Sequence, residues 1–145
     1  MNRNIICCLI ITYNPNEDFF NLINEIKNQV REIIVVDNNS EKILKERLIS
    51  FCSNSMTNLI LNSENYGIAK ALNQGIELAK AKKYEWVLIF DQDSKPFSNA
   101  VDILSSVYAL SELRAWSYGH NKQTFWVWRC LRYRERECMG AERGI

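Results

Sequence analysis

No stretch of this chain carries the ~20 consecutive apolar residues that a membrane-spanning helix requires. The opening run Ile5-Ile-Cys-Cys-Leu-Ile-Ile11 is too short to span. It lacks a small-residue cleavage site and runs directly into a polar turn, so it reads as a buried first strand rather than a signal peptide. An excess of charge is missing too: 18 lysines and arginines against 17 acids leave a formal net charge of +1, which argues against a strongly basic nucleic-acid binder. Paired cysteine motifs are absent. Cys7, Cys8, Cys52, Cys130 and Cys138 make no CxxC and no zinc-like spacing. An odd count with two adjacent members suits a reducing compartment, and the expected location is the cytoplasm. What remains is the composition of a soluble globular protein, 47% hydrophobic and 24% charged, with 145 residues giving room for one domain and not two.

Strand and helix signals alternate along the first part. Ile5–Ile11 reads as a continuous apolar strand, followed by the turn Tyr13-Asn14-Pro15-Asn16. From Asp18 to Gln29, Phe19, Phe20, Leu22, Ile23 and Ile26 fall on one helical face, with Val30 following. A second strand, Glu32–Val36, closes in Asp37-Asn38-Asn39-Ser40. Ser40 is placed to cap a helix whose apolar positions are Ile43, Leu44, Leu48 and Ile49. Asn58–Leu61 reads as a short third strand, Ile68–Ala81 as a helix, Tyr84–Phe90 as a fourth strand, and Ala100–Leu113 as a further helix with Val101, Leu104, Val107, Tyr108 and Leu113 inward. Repeated β-α-β units with buried strands predict an α/β fold: a mostly parallel, Rossmann-like sheet of about four strands with helices on both faces.

The composition changes near Ser111. Before it Trp86 is the only tryptophan; beyond it come Trp116, Trp126 and Trp128 with Arg114, Arg129, Arg132, Arg134, Arg136 and Arg143. The tail has no clean period apart from the short Phe125–Leu131 run. The division expected is a domain over residues 1–111 and an atypical Trp/Arg-rich tail over 112–145, frame-changed or disordered, with a divergent segment packed on the sheet as the alternative. The tail's arginines and aromatics can also meet phosphates and stack on bases, although Glu135 and Glu137 interleave with them and weaken the field.

Chemistry concentrates where strands end. Val87-Leu-Ile-Phe90 breaks off in Asp91-Gln92-Asp93-Ser94, two acids with the spacing that keeps side chains on the same side of a strand. Acids at the carboxyl end of a buried parallel strand sit in the crevice where open α/β sheets bind ligands, and a pair of them can hold a hard divalent cation that bridges to phosphates. Thr12, Tyr13 and Asn14 follow strand one; Asp37, Asn38 and Asn39 follow strand two. Asn65-Tyr66-Gly67 opens the helix that carries Lys70, Asn73 and Gln74, and helix N-termini favour anions. Together they offer a nucleoside diphosphate an acceptor for its base at Asp37, a ring for it at Tyr13, and positive charge for its phosphates at Lys70 and at a cation on Asp93. Singly, each has a plainer role: Asp37 as a turn cap, Tyr13 as packing, Gly67 as a turn residue, Lys70 as a solvated helix lysine, Asn73 as a tie between helix and loop.

Four segments in this order, Ile10-Ile-Thr-Tyr-Asn-Pro15, Ile34-Val-Val-Asp-Asn-Asn-Ser40, Asn65-Tyr-Gly-Ile-Ala-Lys-Ala-Leu-Asn-Gln-Gly75 and Ile89-Phe-Asp-Gln-Asp-Ser94, resemble the motifs of family 2 glycosyltransferases. The Asp-Gln-Asp-Ser and Gly-Ile-Ala-x-Ala-Leu-Asn strings are most similar to the rhamnosyltransferase-like branch, and the likeness covers about residues 5 to 110. The resemblance implies the nucleotide-binding half of a GT-A fold, a nucleotide sugar as donor (dTDP-rhamnose on the motif variant), and Mg²⁺ or Mn²⁺. It implies inverting transfer to a hydroxyl of a glycan or lipid-linked acceptor, in polysaccharide biosynthesis, with peripheral association at the inner membrane face. By it, Thr12, Tyr13 and Asn14 line the nucleotide site and Asp37 binds the base. Asn65 and Gly67 belong to the nucleotide-sugar site, Lys70 and Asn73 lie near its ribose–diphosphate region, Asp91 touches the ribose side, and Asp93, with Asp91, ligates the metal. The family's acidic general base has no counterpart among Glu112, Glu135, Glu137 and Glu142, so a truncated domain, weak or inactive alone, is expected. The alternatives are a nucleotide-binding module or nucleotidyltransferase-like enzyme, and a nucleic-acid-binding module using the tail.

Overall fold

A computed structural model of the chain describes residues 3–53, 56–109, 115–118 and 125–129. A short 3₁₀ turn, Arg3–Ile5, leads into β1 (Ile6–Thr12) and α1 (Glu17–Ile26); β2 (Glu32–Asp37), α2 (Lys42–Ser53), β3 (Thr57–Leu61), α3 (Ile68–Ala81), β4 (Trp86–Asp91) and α4 (Ala100–Ala109) follow. Two further strands, β5 (Ala115–Tyr118) and β6 (Phe125–Arg129), complete a sheet of order β3-β2-β1-β4-β6-β5. The first four are mutually parallel, as the buried apolar runs predict; β6 is antiparallel to β4 and β5 to β6. Sequence periodicity gives the tail no element beyond the Phe125–Leu131 run, because edge pairing is dictated by the open backbone of β4 and not by a local pattern.

Alternation along the central strands builds two cores. Ile6, Cys8 and Ile10 of β1, Ile33 and Val35 of β2, and Trp86, Leu88 and Phe90 of β4 face one side, where α1 covers them with Phe19, Phe20, Leu22, Ile23 and Ile26. Leu48 of α2 and Val101 and Leu104 of α4 complete that layer. Cys7 and Leu9, Ile34 and Val36, and Val87 face the other side, against Ala71 and Ala79 of α3. Gly75 lets α3 approach closely: a Cβ there would lie 2.2 Å from Leu9 Cδ1. Helices therefore cover both faces of the parallel strands.

Differences from the sequence expectation follow from packing. Ile43 and Ile49 of α2 are exposed, and Leu48 and Cys52 carry its buried face. Ile68, at the start of α3, is exposed, and Ala71, Gly75 and Ala79 carry the buried face of that helix. The last helix ends at Ala109, while Leu113 lies outside the described residues, as does the side-chain packing of Val107 and Tyr108. Of the tail's arginines, all but Arg129 lie outside the described residues, and so do Glu112, Glu135, Glu137 and Glu142. Among the described residues no helix is long and apolar enough to cross a membrane.

Candidate functional site

Sheet order determines where a ligand can enter. The chain winds from β1 through β2 to β3 and then returns to the far side of β1 as β4, so connections leave β1 and β4 in opposite directions. The crevice above the carboxyl ends of those two strands is the switch point at which open α/β sheets bind ligands. Register places Asp37 opposite Thr12 and Asp91 opposite Ile11, so the polar ends of β2, β1 and β4 share one edge. Of the seven buried polar residues among those described, Thr12, Asp37, Asn38, Ser40, Asn62 and Ser94 lie at or just past strand carboxyl ends, and Gln29 alone does not. Polarity buried at one end of the sheet marks that end as built.

Gln92, between the two acids, closes the switch point. Its Oε1 accepts from Thr12 Oγ1 (2.8 Å) and from the Tyr13 backbone N–H (2.9 Å), tying the end of β4 to the end of β1. Thr12 is thereby buried, whereas the Tyr13 side chain is half exposed at the mouth. Asn14 takes a positive φ of 49°, and its backbone N–H donates to Ser40 Oγ (2.7 Å) while its Oδ1 accepts from the Glu41 N–H (2.8 Å). Ser40 in turn donates its hydroxyl to Asp37 Oδ1 and its N–H to Asp37 Oδ2 (3.1 Å). Ser40, expected to cap α2, instead locks the loop after β1 to the loop after β2. Asp37 has no exposed surface, and both carboxylate oxygens are engaged by Ser40. The turn-capping role is what its geometry displays.

A chain of amides holds the third side. Asn62, at the end of β3, donates to Asn38 Oδ1 (3.1 Å) and exchanges hydrogen bonds with Gln74 of α3 (3.0 and 2.9 Å). Asn38 Nδ2 donates to Asn65 Oδ1 (2.7 Å), which also accepts from the Gly67 N–H (3.0 Å). Gly67 sits at φ 79°, a left-handed conformation that suits glycine, and leads into α3 with no side chain capping the first turn. The exposed amides of that turn are therefore available to an anion. Lys70, in the same turn, rests its ammonium 3.5 Å from the centroid of the Tyr66 ring, and Asn73 is exposed one turn further along.

Asp91 and Asp93 differ from Asp37 in being on the surface. Partial desolvation and the charge of Asp93 push the Asp91 carboxyl above the ordinary aspartate range. Two exposed carboxylates two residues apart at the end of β4 offer hard oxygen donors of the kind that suits a divalent cation. Among the described residues no group of three or more His, Cys, Asp or Glu is placed to hold a metal ion.

Sequence reasoning finds the four strand-end clusters, and the structure puts Thr12, Tyr13, Asn14 and Asp37 into one bonded loop system, with Asn65 and Gly67 joined to it through Asn38. It does not bond Lys70 or Asn73 to the acids. Asn62 escapes the reading entirely, and Gln92 and Ser40 enter it without their bridging roles; a polar residue directly after each apolar run is the signal that finds them.

The parallel strands with helices on both faces and acids at the switch point make an α/β domain of the GT-A kind. The glycosyl transferase family 2 profile matches residues 7–105, and the chain belongs to that family. It is 42% identical over 96 residues to the dTDP-rhamnosyl transferase RfbF of Shigella flexneri, a stretch that is 66% of this chain and 31% of that protein. Among solved structures, the mannosyltransferase PcManGT of Pyrobaculum calidifontis, in complex with GDP-Man and Mn²⁺, superposes with a TM-score of 0.61 at 23% identity, over 79% of this chain and 35% of that one. TarS 1–349 of S. aureus in complex with UDP-GlcNAc gives 0.61 at 18% identity, over 76% and 32%. At these identities the structural likeness speaks for the fold. The chain spans about a third of the length of these relatives.

Proposed function

We propose that this chain binds a nucleoside diphosphate sugar, with a divalent cation, as the donor-binding part of a glycosyltransferase. The observation that carries the reading is the exposed like-charged pair Asp91 and Asp93 at the β1/β4 switch point, on the same sheet edge as the uncapped first turn of α3 with Lys70. A cation held by Asp93 and Asp91, Mg²⁺ or Mn²⁺, would neutralise the diphosphate as it leaves. The α3 amides and Lys70 add positive potential on the same edge. Tyr13, half exposed, offers a ring face to the base, while Thr12, Asn14, Asp37 and Ser40 hold the loops that shape its slot.

Similarity to a dTDP-rhamnosyl transferase favours dTDP-rhamnose as donor. The transfer proposed is an inverting one, to a hydroxyl of a glycan or lipid-linked acceptor. Action in the cytoplasm rests on the cysteine pattern, and peripheral association with the membrane on the family resemblance.

Calorimetry of the 145-residue chain with UDP, GDP and dTDP, with and without Mn²⁺, tests the reading. One nucleotide should bind, more tightly with Mn²⁺, and Asp93→Ala should weaken the Mn²⁺-dependent binding on the order of tenfold or more. Equal affinities for the wild type and Asp93→Ala in Mn²⁺ would refute the metal assignment. Preference for a nucleoside triphosphate would favour a nucleotidyltransferase-like enzyme instead.

A further inference from the structure

We infer that Tyr66 is a positioning residue for Lys70, holding its ammonium over a fixed aromatic face beside the first turn of α3, where the donor's diphosphate is read. The inference rests on the donor-binding proposal and deepens it. An exposed lysine on a helix ordinarily spreads its charge over many rotamers, and gathering it onto a ligand costs side-chain entropy. Here the ring beneath it is anchored at both ends. The Tyr66 backbone N–H donates to Asn38 Oδ1 (3.0 Å), and the phenol oxygen lies 3.1 Å from Ser63 Oγ. Asn38 is itself buried at the end of β2 and bonded to Asn62 and Asn65. The ring is thus fixed to the sheet edge that carries the site, and the ammonium 3.5 Å from its centroid is inside the range of a cation–π contact. One side chain links the framework of the crevice to its mobile positive charge. The contact is weak enough for the ammonium to turn toward phosphate without a large penalty, and it keeps that charge local while the site is empty.

The experiment compares nucleoside and nucleoside diphosphate binding by calorimetry in Mn²⁺. The full chain and its Tyr66→Leu, Tyr66→Phe, Lys70→Met and Tyr66→Leu/Lys70→Met variants are titrated with whichever of UDP, GDP and dTDP binds the wild type most tightly, and with the matching nucleoside. Tyr66→Leu should weaken diphosphate binding about two- to fivefold and leave nucleoside binding unchanged. Tyr66→Phe, which keeps the ring and its backbone anchor but loses the bond to Ser63, should fall between the wild type and Tyr66→Leu. In the Lys70→Met background Tyr66→Leu should have no further effect, because the charge it positions is gone. A purely structural role for Tyr66 would instead weaken nucleoside and diphosphate together and persist without Lys70, and that result overturns the inference. If Lys70→Met weakens diphosphate binding while Tyr66→Leu does not, the inference fails and the donor-site reading stands. If Lys70→Met changes nothing, or if none of the three nucleotides binds, the reading of Lys70 falls and takes the inference with it.

Discussion

Two strands of the same sheet end in acids and put them to opposite uses. At the end of β2, Asp37 is wholly buried and its carboxylate is consumed by the N–H and hydroxyl of Ser40, which also receives the Asn14 N–H. At the end of β4, Asp91 and Asp93 stay on the surface, and Asp91 is pushed above the ordinary aspartate range by desolvation and by its neighbour's charge. The first acid makes its hydrogen bonds inside the protein and shapes a loop. The second pair is open to solvent.

Removing each acid in turn sharpens the contrast most. Asp37→Ala should cost about 2–3 kcal/mol of stability, measured by urea unfolding, since it strips a buried hydroxyl and amide of a charged acceptor. Asp93→Ala should lie within about 0.5 kcal/mol of the wild type in the same experiment, and its effect should surface in Mn²⁺-dependent nucleotide binding. Equal destabilisation by the two variants would erase the distinction. Gln92→Ala falls between: it leaves the buried Thr12 hydroxyl and the Tyr13 N–H without their shared acceptor. About 1–2 kcal/mol should be lost. Nucleotide affinity should fall with it because the β1 and β4 ends are no longer tied; a loss of stability with unchanged affinity would separate the tie from the site.

Much of this was legible from residues alone. Buried apolar runs give four parallel strands, Ile68–Ala81 is read to its ends, and the acids and amides after each run mark the crevice. The unread part is the pairing. Asp37 and Asp93 both follow an apolar strand, and nothing local tells that one meets a serine three residues on while the other faces water. Ser40 has the residue type of a helix cap, and a cap is what a local reading makes of it; its true partners, Asn14 and Asp37, come together only when β1 lies against β2. Asn62 precedes a turn and looks like any turn asparagine until α3 brings Gln74 against it. Hydrophobic periodicity encodes which face is buried, whereas hydrogen-bond partnership is decided by which loops the sheet order makes neighbours.

The smallest effect sets the two ends of the sheet against each other. At the amino end of β2, Glu32 is pushed up by burial, but hydrogen bonds from Lys82 (2.8 Å), Asn58 and Tyr84 (3.0 Å) outweigh that and hold its carboxyl below the usual range. Its contribution to stability is present above the unfolded-state pKa and is lost as pH falls through the lower folded value. Asp91 runs the other way. The native state keeps its proton to higher pH, so its contribution is complete below the unfolded-state pKa and is lost as pH rises through the raised folded value. Glu32→Gln should therefore flatten the acid-side loss of stability, by about 1 kcal/mol or less for a partly exposed pair. Asp91→Asn should remove a smaller decline in the opposite direction, reduced by solvent screening. Urea midpoints from about pH 3 to 7 read both, since that window brackets ordinary carboxylates. Mn²⁺ with the bound nucleotide should abolish the Asp91 limb and leave the Glu32 limb intact, because a cation between Asp91 and Asp93 replaces their repulsion while the amino end of the sheet never meets it. Identical pH profiles for Asp91→Asn and the wild type would mean that neither desolvation nor the charge of Asp93 acts on Asp91 in the folded chain.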